Sequence, residues 1–302
     1  MRTLIILSML FLCCCNKPQI TPNPIPNPNP IPNPNPTGTQ KALIVGINTY
    51  PSAPLEGCVN DANDVKDYLI KNYGYKETEI RMLLDNKATT NAIKDGLDWL
   101  TKDAQAGDKR VFHYSGHGAE YPGETAGQPD NLNQIICPYD FDWSEPHMIM
   151  DVEFAKIFGK MPNNVIFNWI SDSCHSGDLI KIIPTNTKVK ITPRTYPNIP
   201  DEISIKIRKA KVANIKNKGF VNGTLDVGFV SGCRYDQTSA DTQDETGRPC
   251  GALTHYFLLT LDKNKDSSLK DVVVLLQQTL ARTGYQQVPQ AEGARIDKAF
   301  QK

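Results

Sequence analysis

Read from its residues alone, the chain is expected to adopt an α/β fold with a mostly parallel central sheet flanked by helices. Apolar, partly β-branched runs of strand length recur along it, with stretches of helical periodicity between several of them. Two of the runs, Arg110-Val111-Phe112-His113-Tyr114 and Val165-Ile166-Phe167-Asn168-Trp169-Ile170, end in turns of small residues and glycine. Strands that alternate with helices in this way argue for a parallel sheet covered on both faces.

The chain has 302 residues, with 33 basic and 33 acidic side chains and 39% hydrophobic content. That is enough for one large core, or one core with a satellite. The balanced charge leaves no electrostatic footprint for nucleic acid. Residues 1–12 carry one charge, Arg2, and then an apolar run too short for a bilayer, which needs about 20 residues. Residues 1–15 therefore read as a signal peptide. Leu12-Cys13-Cys14-Cys15 resembles a bacterial lipobox, with Cys15 as the lipidated residue. The expected location is outside the cytoplasm, lipid-anchored to a bacterial membrane, with plain secretion as the alternative. Residues 16–40 form a linker in which Asn-Pro and Ile-Pro repeats remove every second N–H and forbid helix or sheet. The repeat tract from Pro18 to Pro36 is a spacer of about 3.1 Å per residue, roughly 60 Å in all.

The folded domain is expected over residues 41–302. Lys41-Ala42-Leu43-Ile44-Val45-Gly46-Ile47 is a buried strand, and a helix follows with Val65, Tyr68, Leu69 and Tyr73 on its apolar face, stopped by Gly74. Glu79-Ile80-Arg81-Met82-Leu83-Leu84 is the next strand. Thr89 or Thr90 caps a helix whose apolar positions are Ile93, Leu97, Trp99 and Leu100. After the 110–114 strand come a polar, glycine-rich loop over 120–133, a short apolar run at 135–137 and a helix from about Asp151 to Lys160. Residues 178–222 are rich in Lys and Arg and punctuated by prolines, which reads as an exposed basic insertion. Val227-Gly228-Phe229-Val230-Ser231-Gly232-Cys233 is expected to be the last strand, before helices at about 251–262 and 268–283.

The chemistry lies in two turns. Ser115-Gly116-His117-Gly118 follows one strand and Asp172-Ser173-Cys174-His175-Ser176-Gly177 follows another. If the strands are neighbours, His117 and Cys174 leave their C-terminal ends, where open α/β sheets place their sites. A thiol beside an imidazole is a nucleophile beside a base, because the thiolate is the reactive form. Backbone N–H groups around Gly118 and Cys174 suit a developing oxyanion, so the pair points to acyl transfer.

Five segments extend this reading. Gly57-Cys58-Val59-Asn60-Asp61-Ala62, Tyr114 to Gly118, Asp172 to Gly177, Ser231 to Asp241 and Gly284 to Gln290 resemble, in order, the block motifs of metacaspases in the caspase-like C14 peptidase family. The resemblance implies a caspase-haemoglobinase fold, a Cys174–His117 dyad, and polypeptide substrates cut after Arg or Lys. It also implies an acidic specificity pocket at Asp61 and Asp172, lined by Cys58 and Ser115. Carboxylates in a partly desolvated pocket attract a guanidinium, ideally in bidentate fashion.

No cofactor is expected. Many metacaspases are calcium-activated, but where the resemblance implies a paired Asp, this chain reads Met150-Asp151, and Lys181 stands where a further acid is drawn. Calcium prefers several hard oxygens. His113 and His117 sit four apart on a strand and its turn, where they do not converge on zinc. Past the lipobox remain Cys58, Cys137, Cys174, Cys233 and Cys250, an odd number that argues against a disulfide scaffold. A monomeric, membrane-tethered cysteine endopeptidase is thus expected. The alternative is a caspase-like binding or scaffold module with suppressed activity.

Overall fold

The computed structural model describes residues 38–123, 132–174, 191–213, 225–234 and 237–302. The leader, Cys15 and nearly all of the linker lie outside them, as do His175 and Lys181. Twelve strands are formed among the described residues: β1 Gln40–Gly46, β2 Ile80–Leu84, β3 Lys109–Ser115, β4 Gly118–Pro122, β5 Leu132–Ile136, β6 Ile149–Met150, β7 Ile166–Asp172, β8 Thr192–Pro193, β9 Gly228–Ser231, β10 Ala240–Gln243, β11 Pro249–Gly251 and β12 Gln290–Glu292. The helices are α1 Cys58–Tyr73, α2 Thr90–Thr101, α3 Asp151–Phe158, α4 Asp201–Ala213, α5 Ala252–Lys263 and α6 Leu269–Arg282.

The central sheet has the order β12-β9-β7-β3-β1-β2. All its pairs are parallel except β12 with β9. Period-two alternation divides the core between its faces. Leu43, Val45, Phe112, Phe167, Trp169 and Phe229 pack on one side with Ile93 and Leu97 of α2, and with Phe154 and Phe158 of α3. Ala42, Ile44, Val111, Ile170 and Val230 face the other side, against α1, α5 and α6. The α/β expectation and its mostly parallel sheet therefore hold.

Three segments differ from the sequence reading. The 120–133 stretch is not simply a loop: β4 and β5 pair antiparallel, Gly118 opposite Ile136 through Pro122 opposite Leu132. Its polar residues Glu120, Asn133 and Gln134 are buried, so alternation was invisible in composition. The strand at 227–233 shortens to β9 and is not the last, since β10, β11 and β12 follow. The insertion expected to be exposed is in part buried over its described residues. Ile203 and Ile207 of α4 bury against the core, and Arg194 is fully buried because carboxylates surround it.

Candidate active site

The parallel register of β3 and β7 sets the site. Ser115 stands opposite Asp172 at the two C-terminal strand ends. His117 lies two residues past Ser115 and Cys174 two past Asp172, so both turns leave adjacent strands in step. They touch at Gly118, where a β-carbon would meet the Cys174 carbonyl oxygen at 1.9 Å. No side chain fits between them.

His117 is held on every side. Its N–H donates to the Tyr50 hydroxyl oxygen at 3.0 Å, and its carbonyl accepts from the Tyr114 hydroxyl at 2.7 Å. Nε2 lies 2.8 Å from the Ala53 carbonyl, which only accepts, so Nε2 carries the proton and Nδ1 is the basic nitrogen. Nδ1 is buried without a hydrogen-bond partner among the described residues. Burial pulls the imidazole down to about 4, against the carbonyls of Ala53 and Arg194, which favour its protonated form. Cys174 is buried too. The Ser239 N–H donates to its Sγ at 2.7 Å, and Sγ lies 3.4 Å from the Ser239 carbonyl.

Beside the pair, Asp61 from the first turn of α1, Ser115, Asp172 and Asp241 of β10 enclose the guanidinium of Arg194. One terminal nitrogen lies 2.8 Å from Asp61 Oδ2 and 2.9 Å from Asp241 Oδ1. The other lies 2.7 Å from Ser115 Oγ, 3.0 Å from the Asp172 carbonyl and 3.1 Å from Asp172 Oδ1. Each acid is braced in turn. Asp172 Oδ2 accepts from the N–H and the hydroxyl of Thr254, both at 2.8 Å, and Oδ1 from Ser239 Oγ at 2.6 Å. Asp61 accepts from Ser115 Oγ at 2.7 Å and the Gly251 N–H at 2.8 Å. Asp241 accepts from the N–H groups of Glu56 and Gly57.

Burial works against the charge on Arg194, but Asp172, Asp61 and Asp241 outweigh it and hold the guanidinium protonated. Burial also lifts Asp61 to about 6, where Arg194 pulls it down and Asp172 pushes it up. Burial drives the Cys58 thiol well up, so it meets the guanidinium as a neutral group.

Every described residue expected at the site is thus gathered there: His117, Gly118 and Cys174 at the turns, Cys58, Asp61, Ser115 and Asp172 around the pocket. Sequence reasoning missed Asp241, although it ends the segment from Ser231 to Asp241 that carries the family resemblance. It also missed Gly251, where a β-carbon would stand 2.2 Å from Asp172 Oδ2 and 2.5 Å from the Arg194 guanidinium. The other described histidines lie apart: His113 is buried against Thr254, His147 pairs with Asp142 and His255 with Glu245.

The donor set at Asp151 does not suit calcium. One Asp151 oxygen accepts from the Val152 N–H of its own helix at 2.8 Å, and Met150 offers Asn133 a thioether rather than a hard oxygen. All five described cysteines are buried. No helix among the described residues is long and apolar enough to cross a membrane.

The model of the metacaspase, peptidase C14 domain matches residues 40–183. Metacaspase-1 of Scheffersomyces stipitis is 30% identical over 286 residues, covering 84% of this chain and 70% of the relative. The chain belongs to the metacaspase family. Metacaspase-1 of Cryptococcus neoformans is 31% identical over 291 residues, and the chain spans 62% of that relative's length. The fold is caspase-like as well: caspase-1 from Spodoptera frugiperda superposes with a TM-score of 0.55 at 12% identity, over 90% of this chain and 94% of that one.

Proposed function

We propose that this chain is a cysteine endopeptidase that hydrolyses peptide bonds after arginine, and less readily after lysine. The observation that carries the reading is the complete burial of Arg194 among three carboxylates beside the Cys174 and His117 turns. A guanidinium offers its planar fork to several oxygens at once, whereas an ammonium is a single point charge, which favours Arg over Lys. The same carboxylates repel a substrate aspartate.

In this reading Cys174 gives its proton to Nδ1 of His117 and attacks the carbonyl carbon after the basic residue. The N–H of Gly118, with that of Cys174, stabilises the oxyanion. His117 then protonates the leaving amine, and water hydrolyses the thioester. The leader, the lipobox and the proline-rich spacer support export and anchoring through Cys15, which radiolabelled fatty-acid incorporation into wild type but not Cys15→Ser would test.

The peptidase test is hydrolysis of fluorogenic peptides ending in Arg, Lys or Asp by the full chain, with a Cys174→Ala control, with and without calcium. Turnover of Arg above Lys, none of Asp, and none by the control is expected. Turnover of Asp alone, or equal turnover by the control, sinks the reading.

A further inference from the structure

Residues 48–57 join β1 to α1, and the middle of this loop reaches His117 twice. The Tyr50 hydroxyl accepts from the His117 N–H at 3.0 Å and donates to the Cys137 carbonyl at 2.9 Å. Its ring lies 4.7 Å from the imidazole, and the Ala53 carbonyl takes the Nε2 proton at 2.8 Å. Backbone and ring of the base are thus held by two residues three apart. On the opposite side the Gly118 N–H donates to the Arg194 carbonyl at 3.0 Å, and the Arg194 N–H donates to the Ser239 carbonyl at 3.1 Å. The chain around Arg194 fills the place where a client must lie. The support of the imidazole that persists during turnover therefore comes from the loop.

The base of the loop is clipped from β2. Asp85 stands one residue beyond Leu84, which pairs with Gly46 at the end of β1. Its Oδ1 accepts from the N–H groups of Asn48 and Thr49, at 2.8 and 3.0 Å. Its backbone sits at φ +50°, a left-handed conformation that Asp and Asn tolerate better than other side-chain-bearing residues. Asn48 then closes the loop. Its carbonyl accepts from the Leu55 N–H at 2.8 Å, its Nδ2 donates to the Glu56 carbonyl at 3.1 Å, and its Oδ1 accepts from the Cys58 N–H at 2.8 Å. Pro51 and Pro54 fix φ between these clips, so a shift at the base is carried to Tyr50 and Ala53 rather than absorbed. On the far limb the Glu56 and Gly57 N–H groups are held separately by the pocket acid Asp241.

Resting on the peptidase reading above, we infer that Asp85 and Asn48 are positioning residues for that reaction. They fix the base of the loop, and the loop, through Tyr50 and Ala53, keeps the proton of His117 on Nε2 and leaves Nδ1 free to take the thiol proton. Asp85 acts as a hydrogen-bond acceptor in this role, and its charge is incidental.

Two substitutions separate the acceptor from the backbone. Asparagine keeps an oxygen acceptor and tolerates the left-handed conformation, whereas glycine adopts that conformation freely and offers no acceptor. Hydrolysis of a fluorogenic peptidyl-arginine substrate is measured for the full chain, Asp85→Asn, Asp85→Gly and Tyr50→Phe. A misplacement of about 1 Å can cost about 100-fold, so kcat should fall by about 10- to 100-fold in Asp85→Gly and Tyr50→Phe, with KM within about twofold and Asp85→Asn within about threefold of wild type. In parallel, nitrogen NMR of the histidine-labelled chain at pH 7.5, with His117→Gln to assign the signal, reads the tautomer. His117 should carry its proton on Nε2 in the wild type and Asp85→Asn, and should be a mixture of tautomers in Asp85→Gly. An unchanged kcat in Asp85→Gly, a loss confined to KM, or a loss in Asp85→Asn as large as that in Asp85→Gly overturns the inference. So does a His117 tautomer that Asp85→Gly leaves unchanged. If the wild-type chain turns over no substrate, the peptidase reading falls, and the tautomer alone decides whether Asp85 orients His117.

Discussion

Asp61 offers a direct test of how the pocket's charge governs turnover. Its Oδ2 takes a hydrogen bond from the guanidinium at 2.8 Å while Oδ1 is tied to the Gly251 N–H. In Asp61→Asn the remaining carbonyl oxygen keeps Gly251, and the amide turns an N–H toward a guanidinium N–H. A hydrogen bond to a charged group is worth about 1.5–3 kcal/mol, so kcat/KM for a peptidyl-arginine substrate should fall by roughly 10- to 150-fold at pH 7.5. The comparison belongs in an Arg194→Gln background, where neither protein carries the resident guanidinium. A pH effect follows as well. Burial lifts Asp61 to about 6 even with Arg194 pulling it down, so without that guanidinium it titrates higher still. Protonating the acid as pH falls removes the attraction, and kcat/KM should drop on the acid side before His117, near 4, takes its proton. The Asn variant lacks the upper limb. If the two profiles keep the same shape, with kcat/KM within threefold, Asp61 does not hold the substrate arginine.

Three other outcomes are expected. Gly251→Ala places a methyl where the guanidinium sits, against an Asp172 oxygen pinned by Thr254, so kcat/KM for arginine peptides should fall at least about 100-fold and urea unfolding should lose about 1–3 kcal/mol. Asp108→Ala strands the buried Arg110 guanidinium, 2.8 Å from the lost carboxylate, and should cost about 3–5 kcal/mol in urea unfolding; Arg110→Met should cost less. Burial holds His113 down to about 3, so below pH 6.5 the unfolded chain binds a proton that the fold refuses. Stability should therefore fall with pH by about 1.4 kcal/mol per unit on this account, an effect that Asp61, titrating in the opposite sense between its unfolded value and about 6, partly offsets. Urea midpoints between pH 6 and 4 should fall less steeply in His113→Gln; identical slopes would show that His113 is not held neutral.

The strands that bury both faces were legible because residues such as Leu43, Ile44, Phe112 and Trp169 make unbroken apolar runs. The Cys174 and His117 turns were legible for a related reason, since glycine and small residues close those runs. The β4–β5 hairpin was not, because Glu120, Asn133 and Gln134 are polar yet buried, and only pairing across the hairpin explains their place. Arg194 was least legible of all. Among prolines and lysines it resembles a solvated cation, and the acids that bury it come from Asp61, Asp172 and Asp241, at separations that no local pattern records. Asp241 lay in plain view within a quoted segment, but nothing in the line of residues says that β10 turns it toward the ends of β3 and β7.

The main-chain pairing of Arg194 has a consequence for what can enter this cleft. Ser239 and Gly118 engage the N–H and the carbonyl of the same residue. An arginine inside a helix has both groups already committed along its own axis, and one inside a sheet has them committed to neighbours. A client must therefore arrive with its backbone unspent. Local order in the target, rather than the abundance of arginine, then decides which proteins are vulnerable, and a substrate is made susceptible by unfolding as surely as by its sequence.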